Sequence, residues 1–267
     1  MYYDIKSLAP FLIKNDNLIR LGRIHDGGYI LSDKILENTD LLISFGINAD
    51  WSFEKDFKNK KEVTIHAFDF SVTHYTLIKK LIKYLTRLRL KKVRSQFMAI
   101  LDFKVFFNKK NKINFHCRGV GNKVNPEFLT FEQVMNMADR KLEDTKTNVF
   151  VKIDIEGSEF DVIPTMKPYF NQIVGMVVEF HDLENNCPAF NSIISLLKND
   201  FHIMHVHGNN NDLTIKGTNL PTVIEITYFN KRLAQENDVY LSTQKYPIKG
   251  LDYPNTRNKK EITLSFT

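Results

Sequence analysis

The stretch Val149-Phe150-Val151-Lys152-Ile153-Asp154-Ile155-Glu156-Gly157-Ser158-Glu159-Phe160 constrains the fold more than any other part of the chain. An apolar, largely β-branched run stops at two carboxylates two positions apart, and a glycine and a third acid follow. A strand buried on both faces reads as such a continuous run, whereas a strand with one wet face alternates. Charge delivered at its carboxyl end fits the parallel sheet of an α/β domain, where ligands bind outside the carboxyl ends of the strands.

Six further segments read as strands, at residues 41–46, 63–70, 113–121, 174–182, 201–207 and 222–229. Helical patterns separate the early ones, and the last two strands follow each other closely. That alternation predicts a mostly parallel sheet with an antiparallel strand at the late end. Residues 1–20 read as a helical or irregular lead-in. Asp26-Gly27-Gly28 between apolar flanks marks a tight turn, read as a hairpin. Residues 231–267 look like a less regular tail. With 267 residues, no internal repeat and no low-complexity linker, the expectation is one domain spanning 1–267.

Composition matters chiefly through charge. The chain carries +6 at neutral pH, yet residues 79–112 hold twelve Lys or Arg against one acid, Asp102. That window is +11, so the remainder of the chain is net acidic. Within residues 73–112, Leu77, Leu81, Leu85 and Leu88 recur at helical spacing between Lys79, Lys80, Lys83, Arg87 and Arg89, which predicts one long basic amphipathic helix. Such a helix can simply present a solvated basic face. It can also attract a phosphorylated substrate, an anionic membrane surface (a peripheral contact) or an acidic partner. No stacking-aromatic pattern points to nucleic acid, and an oligomer stays open. Cys117 and Cys187 make no metal or redox motif and suit a reducing compartment. The first residues do not read as a signal peptide, and no stretch reaches 18 uncharged apolar residues, so the expected location is cytoplasmic.

Gly46 ends the strand at 41–46, a turn follows, and a helix starts near Phe53. Strand, glycine turn and helix together cradle a nucleotide-like ligand. The Gly-x-Gly-x-x-Gly spacing and the Gly-Lys-Ser/Thr loop are both missing, which argues against NAD and ATP. Asp69, at a strand end 23 residues after Gly46, fits the carboxylate that binds a ribose diol, with a helix N-cap as the alternative. Glu159 is expected to cap the helix after Gly157. His181 and Asp182 lie just past another strand end. His205 and His207 share one strand face.

The residues resemble the FkbM-type methyltransferases, which use S-adenosylmethionine (SAM). The match is closest at Lys152-Ile153-Asp154-Ile155-Glu156-Gly157-Ser158-Glu159, similar to that family's Lys-Ile-Asp-Val-Glu-Gly-x-Glu motif. His66-Ala67-Phe68-Asp69 and Val177-Val178-Glu179-Phe180-His181 resemble two further strand endings. Asp26-Gly27-Gly28-Tyr29 resembles a subgroup associated with bacterial surface polysaccharide. The resemblance covers roughly residues 20–230. It implies a seven-stranded, mostly parallel Rossmann-like sheet of order 3-2-1-4-5-7-6, carrying the basic helical insertion. It also implies that Gly46 and Asn48 hold the methionine end of SAM, Asp69 the ribose and Phe70 the adenine, with Val120, Gly121 and Asn122 over the adenine edge. The first loop departs from the family's Asp-x-Gly-Ala-Asn-x-Gly: Ser44 replaces its first acid, and Asp50 stands at its second glycine. Asp50 could then supply the acid for the SAM amino group.

Methyl transfer to oxygen needs an aligned acceptor and removal of its proton, and a sugar hydroxyl requires a positioned base or a metal ion. His181 is the expected base. Asp154, Glu156 and Asp182 are candidates to hold Mg²⁺ or to orient that histidine. Asp26, Tyr29 and His207 are expected on the acceptor side. The expected acceptor is a sugar hydroxyl or phosphate-linked oxygen of a nucleotide-linked or anionic precursor in capsule or other surface polysaccharide biosynthesis. Two other classes remain. The acidic pair could hold Mn²⁺ in a nucleotide-sugar glycosyltransferase, or the altered first loop could mark a non-catalytic partner protein with this fold.

Overall fold

The structure, a computed structural model, describes residues 3–122, 126–138, 147–211 and 214–266. Its centre is a seven-stranded sheet. In chain order the strands are β1 (Leu41–Phe45), β2 (Thr64–Phe68), β3 (Ile113–His116), β4 (Val149–Ile153), β5 (Ile173–Phe180), β6 (Phe201–Gly208) and β7 (Ile224–Asn230). They lie side by side as β3-β2-β1-β4-β5-β7-β6. The pairs from β3 to β5 are parallel, and β7 runs antiparallel to both β5 and β6. This is the order that the family resemblance implies, mostly parallel and with the antiparallel strand at the late end.

Alternation along the strands builds two layers. Leu41, Ile43 and Phe45 of β1 and Val149, Val151 and Ile153 of β4 face a core shared with Phe131, Val134, Ile163 and Met166. Leu42 and Phe150, on the other face, pack with Phe53 and Phe57 of helix α1 (Ser52–Lys60) and with Tyr29, Leu31 and Ile35. Tyr29 and Leu31 belong to a hairpin of Leu18–Gly22 with Gly28–Ser32. Its Gly28 is forced, because a Cβ there would stand 2.0 Å from the Arg23 carbonyl.

The basic insertion is not one helix. It is two, α2 (His74–Thr86) and α3 (Leu90–Phe106), reversing through Leu88 at φ 51°. The leucine spacing fits a continuous helix, but only Leu77 of that stripe is buried. Reversal brings Phe103 onto the patch of Leu77, Trp51 and Ala67, and Gln96 Nε2 donates to the Leu77 carbonyl at 3.3 Å. A straight helix would have left that patch uncovered. Residues 113–121 also divide, because Gly119–Val120 pairs with Phe128–Leu129 instead of extending β3.

The lead-in and the tail are tied together by the pairing of Phe11–Ile13 with Val239–Leu241. Beyond it, Asn255 Nδ2 donates to Glu225 Oε1 (2.8 Å), and the Pro254 carbonyl meets His25 Nδ1 (2.6 Å). The tail therefore reaches the carboxyl edge of the sheet.

That edge depends on Gly46. Its φ is 72°, and a Cβ would lie 1.5 Å from the Asp154 carbonyl. Gly46→Ala is expected to cost at least ~2 kcal/mol through left-handed strain and overpacking. Urea unfolding checks this, and a loss within ~0.5 kcal/mol, the range of neutral surface changes, would contradict the β1–β4 approach.

Candidate active site

Two adjoining clefts open at the carboxyl ends of β1, β2, β4 and β5, and Gly46, Asn48, Asp154 and Glu156 line both. The first, about 290 Å³, is mainly apolar and adds Asp69, Phe70, Gly119, Val120, Phe128 and Ile155. Asp69 Oδ1 accepts from Ser71 N and Ser71 Oγ (both 2.7 Å), and Oδ2 accepts from Asn48 N (2.7 Å). A carboxylate has about four acceptor positions, so Oδ2 keeps capacity for a further donor. Phe70 is exposed and rests on Phe128, with ring centroids 5.2 Å apart. A carboxylate, an open aromatic face and a buried Val120 fit a nucleoside, so the sequence-derived residues on this side do converge.

The second cleft, about 380 Å³, is polar and rich in acids; Asp26, Asp50, Asp154, Glu156, Glu179 and His181 line it, with Arg23, Lys80 and Lys152 at its sides. Asp50 is tied down by Arg23 Nε (2.9 Å) and Ser52 N (3.0 Å). Burial, followed by the charges of Glu225 and Asp154, holds the Asp26 carboxyl above its usual range. Glu179, nearly buried, is raised well above the ordinary carboxylate range by burial and by Asp154 and Glu225. It keeps its place through Asn209 Nδ2 (2.9 Å) and the Tyr29 hydroxyl (3.1 Å).

His181 stands at the centre of this cleft. Glu159 Oε1 accepts from His181 N (2.6 Å) and lies 3.2 Å from Nδ1, which directs Nε2 toward Asp154 Oδ1 (3.8 Å) and Glu156 Oε2 (3.7 Å). Burial works against a charged ring, but the bond to Glu159 and the charges of Glu179, Glu159 and Asp154 outweigh it and raise the pKa to about 9. The resting imidazole therefore carries a proton at neutral pH. It can act as a base only when that proton is removed by higher pH or displaced by entering positive charge. One ligand atom each from Asp154, Glu156 and His181 lies within 4.8 Å of the others, a carboxylate-rich set suited to a divalent cation.

Three expected residues sit elsewhere. Asp182 does not join that set; its Oδ1 accepts from Asn185 Nδ2 (2.8 Å) in the first turn of the next helix. Tyr29 is buried behind the cleft, where its hydroxyl is shared between Asp154 Oδ2 (2.9 Å) and Glu179, so it positions carboxylates and does not line the acceptor space. His207 is also buried away from the cleft, with Nδ1 on Glu225 Oε2 and Nε2 on Glu261 Oε2, both at 3.3 Å. Its partner in sequence, His205, is engaged by Asp252 Oδ2 at 3.1 Å.

Four residues matter more than their sequence context indicated. Glu159 is fully buried and holds His181, besides accepting from Gly157 N at 2.8 Å; it is more than a cap. Glu179 received no role, although a lone acid inside an apolar strand costs stability unless it has partners. Lys152 is buried and donates to the Gly46 carbonyl (2.8 Å), with Glu54 Oε1 at 4.0 Å, Asp154 Oδ2 at 3.9 Å and the Tyr29 ring beneath it. Glu54 in turn accepts from Ser44 Oγ (2.5 Å). An acid missing at position 44 is thus present nearby, carried by α1.

No family model matches the chain, and no curated protein matches it in sequence. Similar solved structures include an rRNA methylase from Streptococcus thermophilus, 12% identical over 74% of this chain and 92% of that one, with a TM-score of 0.39. A fibrillarin pre-rRNA processing protein from Methanococcus jannaschii is 10% identical over 81% of this chain and 83% of its own, at 0.37. A precorrin-6y C5,15-methyltransferase from Geobacter metallireducens is 12% identical over 73% and 84%, at 0.33. With TM-scores below 0.5 these likenesses carry no weight for the chemistry, and the strand order stands on its own.

The buried His207 sets a pH limit on stability. Burial opposes its charge, but Glu225, Glu261 and Asp252 raise its pKa from 6.5 to about 10. Its contribution is therefore complete below about pH 6.5, the unfolded value, and is lost as pH rises through about 10. Thermal unfolding between pH 7 and 10 should show a falling midpoint, and His207→Gln should flatten that fall. An equal slope in the variant would contradict the assignment.

Proposed function

We propose that the protein is a SAM-dependent O-methyltransferase whose acceptor is a hydroxyl of a sugar or nucleotide-linked precursor of surface polysaccharide. The observation that carries this reading is the meeting of the two clefts at Asp154 and Glu156: an apolar one with a carboxylate at a strand end, and a polar one built around a histidine. Gly46, Asn48, Asp69, Phe70 and Val120 would hold SAM, which supplies an electrophilic methyl group. The glycosyltransferase reading gives Gly46 and Asp69 no task, although both line the first cleft.

In the proposed chemistry Glu159 orients His181 through Nδ1, and Nε2 takes the acceptor proton. Asp154 and Glu156 accept hydrogen bonds from neighbouring hydroxyls or hold a divalent cation; such an ion would lower the hydroxyl pKa. Five acids around one cavity, against Arg23, Lys80 and Lys152, favour a neutral, hydroxyl-rich acceptor portion over a phosphate. An anionic portion has a separate place. Arg23 and Lys80 border the cleft and also line a groove with Tyr84 and Lys92 between α2 and α3.

The test is transfer of labelled methyl from SAM into a panel of nucleotide-linked and lipid-linked glycans. His181→Ala should lower turnover by ~100-fold or more while affinity for S-adenosylhomocysteine stays within about twofold. In the wild type, kcat/KM should climb with pH and reach half its maximum near 9, the value that the Glu159 bond and the cleft carboxylates set for His181 in the free enzyme. Full activity in the variant, or loss of cofactor affinity, would refute the base assignment.

A further inference from the structure

We infer that the α2–α3 hairpin docks the protein onto an anionic lipid bilayer. The hairpin shows an unpartnered apolar surface of a kind that soluble monomers seldom expose. On α2, Tyr75, Ile78, Ile82 and Leu85 recur three or four positions apart, and all are exposed. On α3, Phe97, Leu101 and Val105 form a second exposed stripe. Leu88 and Leu90, at the turn between the helices, are 83% and 74% exposed. The inner faces are already satisfied by Leu77, Gln96 and Phe103, so these outer residues are surplus to the core.

Charge identifies the occupant. Residues 74–106 carry nine Lys or Arg and one acid, Asp102, and that acid is consumed by Lys55 and by Trp51 Nε1. Basic residues bordering aliphatic ones are what binds the boundary between anionic headgroups and acyl chains. A second copy of this chain is disfavoured, because its hairpin would bring like charges together. A nucleic acid would use the cations but would leave the aliphatic Ile82, Leu85, Leu88 and Leu90 without a role. No helix among the described residues is long and apolar enough to cross a membrane, so the contact is peripheral.

Lys80 belongs to α2 and also borders the acidic cleft. Docking would therefore bring that cleft to the headgroup layer. Only the corollary, that the acceptor is lipid-linked, rests on the proposed methyl transfer; docking itself does not.

The experiment is flotation of the full chain with vesicles of phosphatidylcholine alone or with about one-third phosphatidylglycerol. Two triple variants accompany it: Lys79→Gln/Lys83→Gln/Arg87→Gln and Leu85→Ser/Leu88→Ser/Leu90→Ser. All six positions are exposed, and circular dichroism with thermal unfolding serves as a check that each variant is intact. Binding to the anionic vesicles is expected to exceed that to neutral ones by ~10-fold or more, and to fall by ~10-fold or more in each variant. Binding that survives the serine variant unchanged would show a purely electrostatic polyanion site and overturn the proposal. Absence of vesicle binding would overturn it too, whether light scattering shows a monomer or a dimer that the serine variant dissociates. A wild type that binds vesicles but not S-adenosylhomocysteine would refute methyl transfer and leave docking standing.

Discussion

The site rests on one buried cation. Lys152 is 4% exposed at the end of the central strand β4, and its ammonium reaches the Gly46 carbonyl, Glu54 and Asp154 while lying over the Tyr29 ring. Burying a charge is costly unless partners surround it. Here the same contacts fasten the glycine loop after β1 to the acidic end of β4. Without that positive charge, Glu54 and Asp154 would lose the cation they share, and burial would weigh on both carboxylates.

Carboxylates crowded this way set the chemistry of everything near them. Burial and neighbouring charge hold Glu179 well above the ordinary carboxylate range, and the surrounding acids lift His181 to about 9. Strongly shifted pKa values clustered inside one cleft are the usual setting for acid–base work. A cationic cofactor and a metal ion would both relieve the repulsion, so ligand binding and deprotonation of His181 are coupled by the same electrostatics. Behind the cleft, the tail steadies Glu225 through Asn255, and Glu225 anchors His207. The irregular segment at the chain end thereby serves the site without entering it.

Much of this was legible in the sequence, because strand endings are short-range signals. The apolar run into Asp154 and Glu156, and the glycine after β1, locate the carboxyl edge before any tertiary contact is known. Partnerships across the fold were not legible. Glu159 and His181 are 22 positions apart, and only the parallel pairing of β4 with β5 brings them together. The reversal at Leu88 carries no Gly or Pro, and the leucine spacing fits an unbroken helix, so the decision came from the patch around Trp51 and Phe103. His207 stood on the expected strand, but sequence cannot say that Glu225 and Glu261 already occupy both ring nitrogens.

The central claim is that the Asp69 cleft takes the cofactor, and titration calorimetry with S-adenosylhomocysteine tests it most directly. The account predicts micromolar binding by the wild type and a loss of ~10-fold or more in Asp69→Ala, as removing a hydrogen-bonded charged partner should produce. Circular dichroism would check that the variant keeps its fold. Absence of wild-type binding, or equal affinity in the folded variant, would contradict the account.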